Sequence, residues 1–113
     1  MNCDLVLKNC RYLDVINREF VLGNILIKDS KICGINKDYI CDDVVELNGK
    51  YVVPGFIDGH IHLESSIISP FEFSKIAALH GTAAVITDPH EIANVCGING
   101  VKYMLQATSN LPI

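Results

Sequence analysis

Two histidines stand two residues apart at the end of a short apolar run, in Pro54-Gly-Phe-Ile-Asp-Gly-His-Ile-His62. On a strand, residues two apart point to the same face, so the imidazoles of His60 and His62 would converge. Two converging imidazoles can bind one divalent ion and leave positions free for further ligands and water. The alternative is a pair of surface histidines at a loop entry, but the preceding strand and the Pro-Gly turn favour the metal pair.

A second group of ionisable residues follows another apolar run, Ala83-Ala-Val-Ile-Thr87. Asp88, His90 and Glu91 come directly after it. Pro89 biases Asp88 toward an extended conformation, which would hold its carboxylate at the strand end. The two acidic groups could hydrogen-bond ligand imidazoles, bind a second ion or transfer protons. The alternative is a helix N-terminus capped by Asp88, with Glu91 closing a capping box, and the spacing fits it equally well.

Three other polar groups lie near these motifs. Glu64 follows the histidine pair by two positions, and we expect its side chain to face either the substrate or solvent. Ser65 and Ser66 are predicted to form loop hydrogen bonds, because no base is positioned to make either a nucleophile. His80 stands at the end of a predicted helix, away from the strand ends, and is assigned a structural role.

The elements that position these residues change character near Pro54-Gly55. Before this point the pattern is β-like, with short strands predicted at residues 4–9, 22–28 and 31–36. Asp29-Ser30 predicts a tight turn, and Asn48-Gly49 between two apolar runs predicts a hairpin. Residues 1–54 are therefore expected to form short antiparallel strands with one apolar face.

After Gly55 the pattern alternates between strand and helix. A strand ends at His60, and a helix is predicted from Pro70 to Leu79, with Ser69 as its N-cap and Glu72 completing a capping box. Gly81 is expected to stop this helix. A second strand is predicted at residues 83–87 and a weaker helix at 97–106.

This order predicts βαβ units and a parallel sheet, in which the histidine pair and Asp88 fall at the carboxyl ends of two strands. Catalytic residues of (β/α)₈ barrels lie at those ends. A whole barrel takes about 250 residues, so two βα units would form only its opening quarter.

Composition narrows the class of protein. The chain has 113 residues, half of them hydrophobic, and a net charge of −4, which argues against nucleic acid or an anionic membrane as a partner. The five cysteines are an odd number with no CxxC pair, so neither a disulfide framework nor a structural zinc knuckle is expected. Cys33 is predicted to be a core residue. No leader or membrane-spanning stretch is recognisable, which predicts a cytoplasmic protein.

The run from Pro54 to His62 is similar to the first barrel strand of the amidohydrolase superfamily, in which a His-x-His pair ligates a catalytic metal. His62-Leu-Glu-Ser-Ser66 and Thr87-Asp-Pro-His-Glu-Ile-Ala-Asn-Val95 resemble the adenine deaminase family in particular. The resemblance covers most of the second half and only loosely the first 50 residues. It implies that residues 1–54 are part of a small β-sandwich and that residues 55–113 begin an incomplete (β/α)₈ barrel.

The resemblance also implies a function, the conversion of adenine and water to hypoxanthine and ammonia in purine salvage. It implies a binuclear centre of divalent ions in the complete enzyme, manganese before iron or zinc. In this chain His60, His62 and His90 are the expected metal ligands.

The same resemblance favours Asp88, Glu91 and Glu64 as the catalytic carboxylates. The complete enzyme is expected to be a homo-oligomer acting on a small molecule. The 113-residue chain is expected to be inactive alone, because the bridging glutamate and the other ligands of the family have no counterpart in it. The alternatives are another amidohydrolase that acts on cyclic amides, similar to dihydroorotase, and a non-catalytic fragment.

Overall fold

The computed structural model describes all 113 residues, which divide into two compact units, Met1–Pro54 and Gly55–Ile113. The first unit contains the strands β1 (Leu5–Asp14), β2 (Glu19–Lys28), β3 (Lys31–Ile35), β4 (Val44–Glu46) and β5 (Tyr51–Val52). The second contains β6 (Phe56–Ile61), a 3₁₀ turn (Leu63–Ser66), α1 (Pro70–Leu79), β7 (Thr82–Thr87) and α2 (His90–Ala107).

In the first unit, β1, β2 and β3 form an antiparallel meander, as predicted. The turn at Asp29-Ser30 is confirmed, since both residues have positive φ, 50° and 59°, as in the two-residue turns that match strand twist. Strand β1 runs past the predicted end at residue 9. It continues to Asp14, whose carboxylate accepts the backbone N–H of Ile16 and Asn17 at 3.0 and 3.1 Å and closes the turn into β2.

The predicted hairpin around Asn48-Gly49 is wrong. These residues do turn the chain, with φ of 49° and 79°, but β4 and β5 each pair with β1 in parallel and not with each other. The Gly49 N–H donates to the Asn9 carbonyl at 2.6 Å, opposite an irregularity in β1. The turn at Asn48-Gly49 therefore lets β4 and β5 both stay paired with β1 on either side of the irregularity in β1.

The core of the first unit lies under the centre of its sheet. Val6, Cys10 and Leu26 are fully buried there, on the two central strands β1 and β2. Cys33 lies on β3 at the sheet edge and is partly exposed, so its prediction as a core residue is wrong. An edge strand has a neighbour on one side only, which leaves its small side chains half covered.

The second unit has the predicted βαβ order, and its α/β class is confirmed. Strands β6 and β7 are parallel, and α1 connects them through the 3₁₀ turn. The Ser69 hydroxyl caps α1 by accepting the Glu72 N–H at 3.3 Å, and Gly81 follows the helix with φ 88°. The Glu72 carboxylate contacts Lys75 at 3.2 Å instead of returning to the cap, so the capping box is only half formed.

Helix α2 begins at His90, seven residues earlier than the predicted helix at 97–106. Gly97 has φ 58° and ψ −148° and marks a kink within it. Gly100 is buried, and a Cβ there would lie 2.7 Å from the Ile92 carbonyl oxygen. Glycine at position 100 thus permits a close approach across the kink, although it lowers helix propensity.

The sheet of the second unit has only two strands, and large apolar side chains on it are exposed. Phe56 and Ile57 on β6 are 69% and 67% exposed, and Ile86 on β7 is 61% exposed. Two strands rarely form a stable sheet unless more strands or helices cover them. No helix of the chain combines the length and hydropathy needed to span a membrane.

Substitution of two leucines on β2 tests where the core of the first unit lies. Leu26 is fully buried and Leu22 is 61% exposed. Leu26→Ala should lower the free energy of unfolding by about 2–5 kcal/mol, because it leaves a cavity between packed strands. Leu22→Ala, the matched control, should change it by less than about 0.5 kcal/mol. Urea denaturation followed by circular dichroism measures both, and equal losses would contradict this core.

The cysteines of the first unit give a second test. Burial and the neighbouring thiols of Cys41 and Cys33 raise the pKa of Cys3 to about 11. Alkylation requires the thiolate, so iodoacetamide at about pH 8 should modify the exposed Cys96 well before Cys3. Mass spectrometry of tryptic peptides measures the order, and earlier labelling of Cys3 would show that its thiol is not shielded in this way.

Candidate metal centre

The parallel pairing of β6 and β7 places their carboxyl ends side by side. The Asp88 N–H, just past β7, donates to the Ile61 carbonyl at the end of β6, at 3.0 Å. The residue after Ile61 is His62, so the two ionisable groups found in the sequence meet at one sheet edge. This edge is where parallel sheets carry their ligand sites.

The predicted convergence of His60 and His62 is confirmed. Their Nε2 atoms lie 3.2 Å apart, and the two rings meet edge to face. His62 Nδ1 lies 2.7 Å from the Asp88 backbone carbonyl. A carbonyl oxygen can only accept, so Nδ1 carries a proton, and in the neutral ring Nε2 has the lone pair that faces His60.

This hydrogen bond to the Asp88 carbonyl raises the pKa of His62, and the charges of Glu91, Asp88 and Glu64 act in the same direction, against partial burial. The three carboxylates therefore give the surroundings of His62 a negative electrostatic potential. A cation placed between the two imidazoles would be favoured by the same charges that favour the protonated ring.

The Asp88 carboxylate completes a group of three potential ligands with His60 and His62, whose ligand atoms all lie within 4.8 Å of one another. His90 was the third metal ligand expected from the sequence. Its Nδ1 instead lies 3.1 Å from Asp88 Oδ2, and its ring packs edge to face on His62 at 4.5 Å. The geometry brings Asp88 to the imidazole pair, while His90 contacts both the Asp88 carboxylate and the His62 ring. A ligand role for His90 stays a prediction.

These residues fit a divalent ion. Two imidazole nitrogens that bind one ion at about 2.1 Å with a tetrahedral angle stand about 3.4 Å apart, close to the observed separation. Ligating histidines donate the other ring N–H to a carbonyl or carboxylate, as His62 does here. Asp58 supports the pair from the backbone side, since its Oδ1 accepts the His60 N–H at 3.1 Å.

Glu64 and Glu91 lie beside this group without joining it. Glu64 Oε1 accepts the backbone N–H of Glu91 at 3.1 Å and of Ile92 at 3.2 Å. Burial alone would raise the pKa of Glu64, but these donors, its own N–H and the nearby His62 hold the pKa below its usual value. The Glu91 carboxylate accepts the Ser65 hydroxyl at 2.5 Å. From the sequence, the Glu64 side chain was expected to face either the substrate or solvent. Its contact with the backbone of α2 was not predicted.

The alternative interpretation of these residues, a capping box at the start of α2, is not what the structure shows. Pro89 is the cap residue and has no side chain that accepts a hydrogen bond, while the Asp88 carboxylate contacts His90. Glu64 fills the capping role from 27 residues away. No local spacing rule could have found this, because capping motifs are defined over four residues. Ser66 forms the loop hydrogen bond predicted for it, donating to the Leu63 carbonyl at 2.6 Å.

A family model described as the Amidohydrolase family matches residues 51–113, more than half of the chain. The strand-end histidine pair and the parallel βαβ order fall within the matched part. The chain belongs to the amidohydrolase family.

The curated relatives with the most similar sequences include several adenine deaminases. The chain is 49% identical over 109 residues to an adenine deaminase of Clostridium acetobutylicum, an alignment that covers 96% of this chain and 19% of the relative. It is 44% identical over 110 residues to the adenine deaminase of Bacillus subtilis, covering 97% of this chain and 19% of the relative. The chain thus spans about a fifth of the length of these relatives.

A solved structure shares the fold. The L-hydantoinase (dihydropyrimidinase) of Arthrobacter aurescens superposes with a TM-score of 0.64 at 29% identity, over 77% of this chain and 21% of that one. A prolidase complexed with N-methylphosphonate-L-proline superposes with a TM-score of 0.56 at 20% identity, over 83% and 29%, which is a likeness of fold alone.

The site predicts an order of effects on metal binding. With Zn²⁺ as probe, because imidazole suits it, His60→Ala and His62→Ala should each weaken binding by at least about tenfold. Asp88→Ala should weaken it more than His90→Ala, because only the Asp88 carboxylate joins the ligand group. His80→Ala, at the end of α1, is the matched control. Isothermal titration calorimetry measures the parent chain and the five variants, and an equal loss in the His80 variant would exclude this site.

Proposed function

We propose that this chain forms the first metal-binding part of an adenine deaminase, an enzyme that converts adenine and water to hypoxanthine and ammonia. The observation that carries the proposal is the group of His60, His62 and Asp88 at the carboxyl edge of two parallel strands. The identity of 49% to a curated adenine deaminase supports this substrate above others.

For the whole enzyme we propose a (β/α)₈ barrel that begins in residues 55–113, with residues 1–54 contributing strands to a small β-sandwich. The parallel β6–α1–β7 unit supports the first part, and the sheet of five short strands supports the second. The exposed apolar side chains on β6 and β7 also support the barrel, because its further strands and helices would cover them.

The proposed cofactor is a divalent metal, manganese before iron or zinc, in a binuclear centre of the complete enzyme. His60 and His62 would hold one ion through Nε2, with Asp88 beside them. A divalent ion in such a site supplies the acidity that turns water into a nucleophile at neutral pH. Adenine is a poor electrophile, so deamination depends on this activation.

The chain's own residues would orient the ligands and move the proton. His62 is fixed by its hydrogen bond to the Asp88 carbonyl, which sets its tautomer. Asp88 is the proton carrier we propose: its Oδ2 accepts from His90, and its carboxylate reaches the imidazole pair. A proton that this carboxylate takes from the attacking water could pass to the exocyclic amine of adenine, which then leaves as ammonia. Glu91 is held by Ser65 and is a weaker candidate.

The second candidate function is another amidohydrolase reaction on a cyclic amide, similar to that of dihydroorotase. The structural likeness to a hydantoinase favours it. Sequence identity is higher to the adenine deaminases, over nearly the whole chain. We also propose a cytoplasmic homo-oligomer that acts on a small molecule in purine salvage, with neither nucleic acid nor membrane as a partner.

A chimera tests the substrate. This chain replaces the matching residues of the Clostridium acetobutylicum adenine deaminase, so that a complete enzyme carries these residues. The manganese-loaded chimera should release ammonia from adenine at a rate normal for enzymes, and His60→Ala should abolish it. Dihydroorotate, the control substrate, should not be hydrolysed. Turnover of dihydroorotate but not adenine would replace the proposed function with the second one.

A further inference from the structure

Helix α2 lacks a cap from its own segment. Its cap residue is Pro89, which has no hydrogen-bonding side chain, so the first N–H groups of the helix need an acceptor from elsewhere. Glu64 Oε1 supplies it, at 3.1 Å from the Glu91 nitrogen and 3.2 Å from the Ile92 nitrogen. A carboxylate at this end also interacts favourably with the helix dipole.

A second contact joins the same two segments. The Ser65 hydroxyl donates to Glu91 Oε2, so the 3₁₀ turn that follows His62 is tied twice to the first turn of α2. His90 is the first residue of that helix, and it holds the Asp88 carboxylate. Placement of Asp88 beside the imidazole pair thus depends on where α2 begins.

The second carboxylate oxygen of Glu64 bears on whether this side chain transfers a proton. Glu64 Oε2 is buried and has no hydrogen-bond partner. A proton carrier needs an oxygen that reaches substrate or water. Oε1 is held by two backbone N–H groups and Oε2 is buried, so this arrangement favours a structural role for the carboxylate over proton transfer.

We propose that Glu64 is a positioning residue: its carboxylate fixes the first turn of α2, and through His90 the orientation of Asp88 at the histidine pair. This inference rests on the proposed function for its link to catalysis, but the contact itself can be tested without it. It changes the role expected of Glu64 from the sequence, which was that of a catalytic carboxylate.

The experiment compares three variants in the chimera described above. Glu64→Gln keeps an oxygen that can accept from both N–H groups, Glu64→Ala removes it, and Glu72→Ala is the control. Glu72 is a glutamate on α1 whose carboxylate contacts only Lys75. Hydrogen–deuterium exchange followed by mass spectrometry reads the peptide that contains Glu91 and Ile92. Ammonia release gives kcat and KM.

In Glu64→Ala, exchange of that peptide should accelerate about fivefold, as expected for a lost helix cap. Its kcat should fall about 10–100-fold, the usual cost of losing a group that orients the site. Glu64→Gln should keep the slow exchange and at least about a third of the parent kcat, since a neutral acceptor still makes the contact. Glu72→Ala should match the parent in both measurements.

Two results would overturn the inference. If Glu64→Gln keeps the slow exchange but loses as much kcat as Glu64→Ala, the carboxylate carries a proton. If exchange at Glu91 and Ile92 is the same in all three variants, Glu64 does not hold the helix. Should Glu64→Ala fail to fold, the Gln variant still decides between these roles. A parent chimera without deaminase activity would refute the proposed function, while the exchange data would still report on the contact.

Discussion

The pairing of two parallel strands at their carboxyl ends is the constraint on which the candidate site depends. One backbone hydrogen bond, from the Asp88 N–H to the Ile61 carbonyl, joins the two strand ends there. His62 then bonds to the carbonyl of the same Asp88, so one peptide position anchors both the strand and the imidazole. His90 and the start of α2 follow directly after this junction along the chain.

Residues whose partners are close in sequence were the ones that could be predicted. The facing pair His60 and His62 follows from the alternation of a strand, and the cap of α1 by Ser69 follows from a four-residue motif. The βαβ order followed from hydrophobic periodicity in the same way. In each case the controlling physics acts over a few residues, which a sequence displays directly.

The features that the sequence did not predict depend on partners that are distant in sequence. Asn48-Gly49 carries a hairpin signal, but the long strand β1 provides partners to both flanking segments, and that competition is decided by tertiary packing. Asp88 fits a helix cap by spacing, yet the side chain that accepts the Glu91 N–H is a glutamate 27 positions before Glu91. Cys33 has an apolar neighbourhood in sequence and an edge position in the sheet. A position in a sheet and a distant partner are not encoded in local pattern.

The site is also compact along the chain, and this has a consequence for how it forms. His62 and Asp88 are only 26 positions apart, with the 3₁₀ turn and α1 between their strands. Contacts of short sequence separation cost little loop entropy and form early in folding, and chains fold from the N-terminus as they are synthesised. Bringing the histidine pair and Asp88 together therefore costs the chain less loop entropy than recruiting a ligand from a distant strand would.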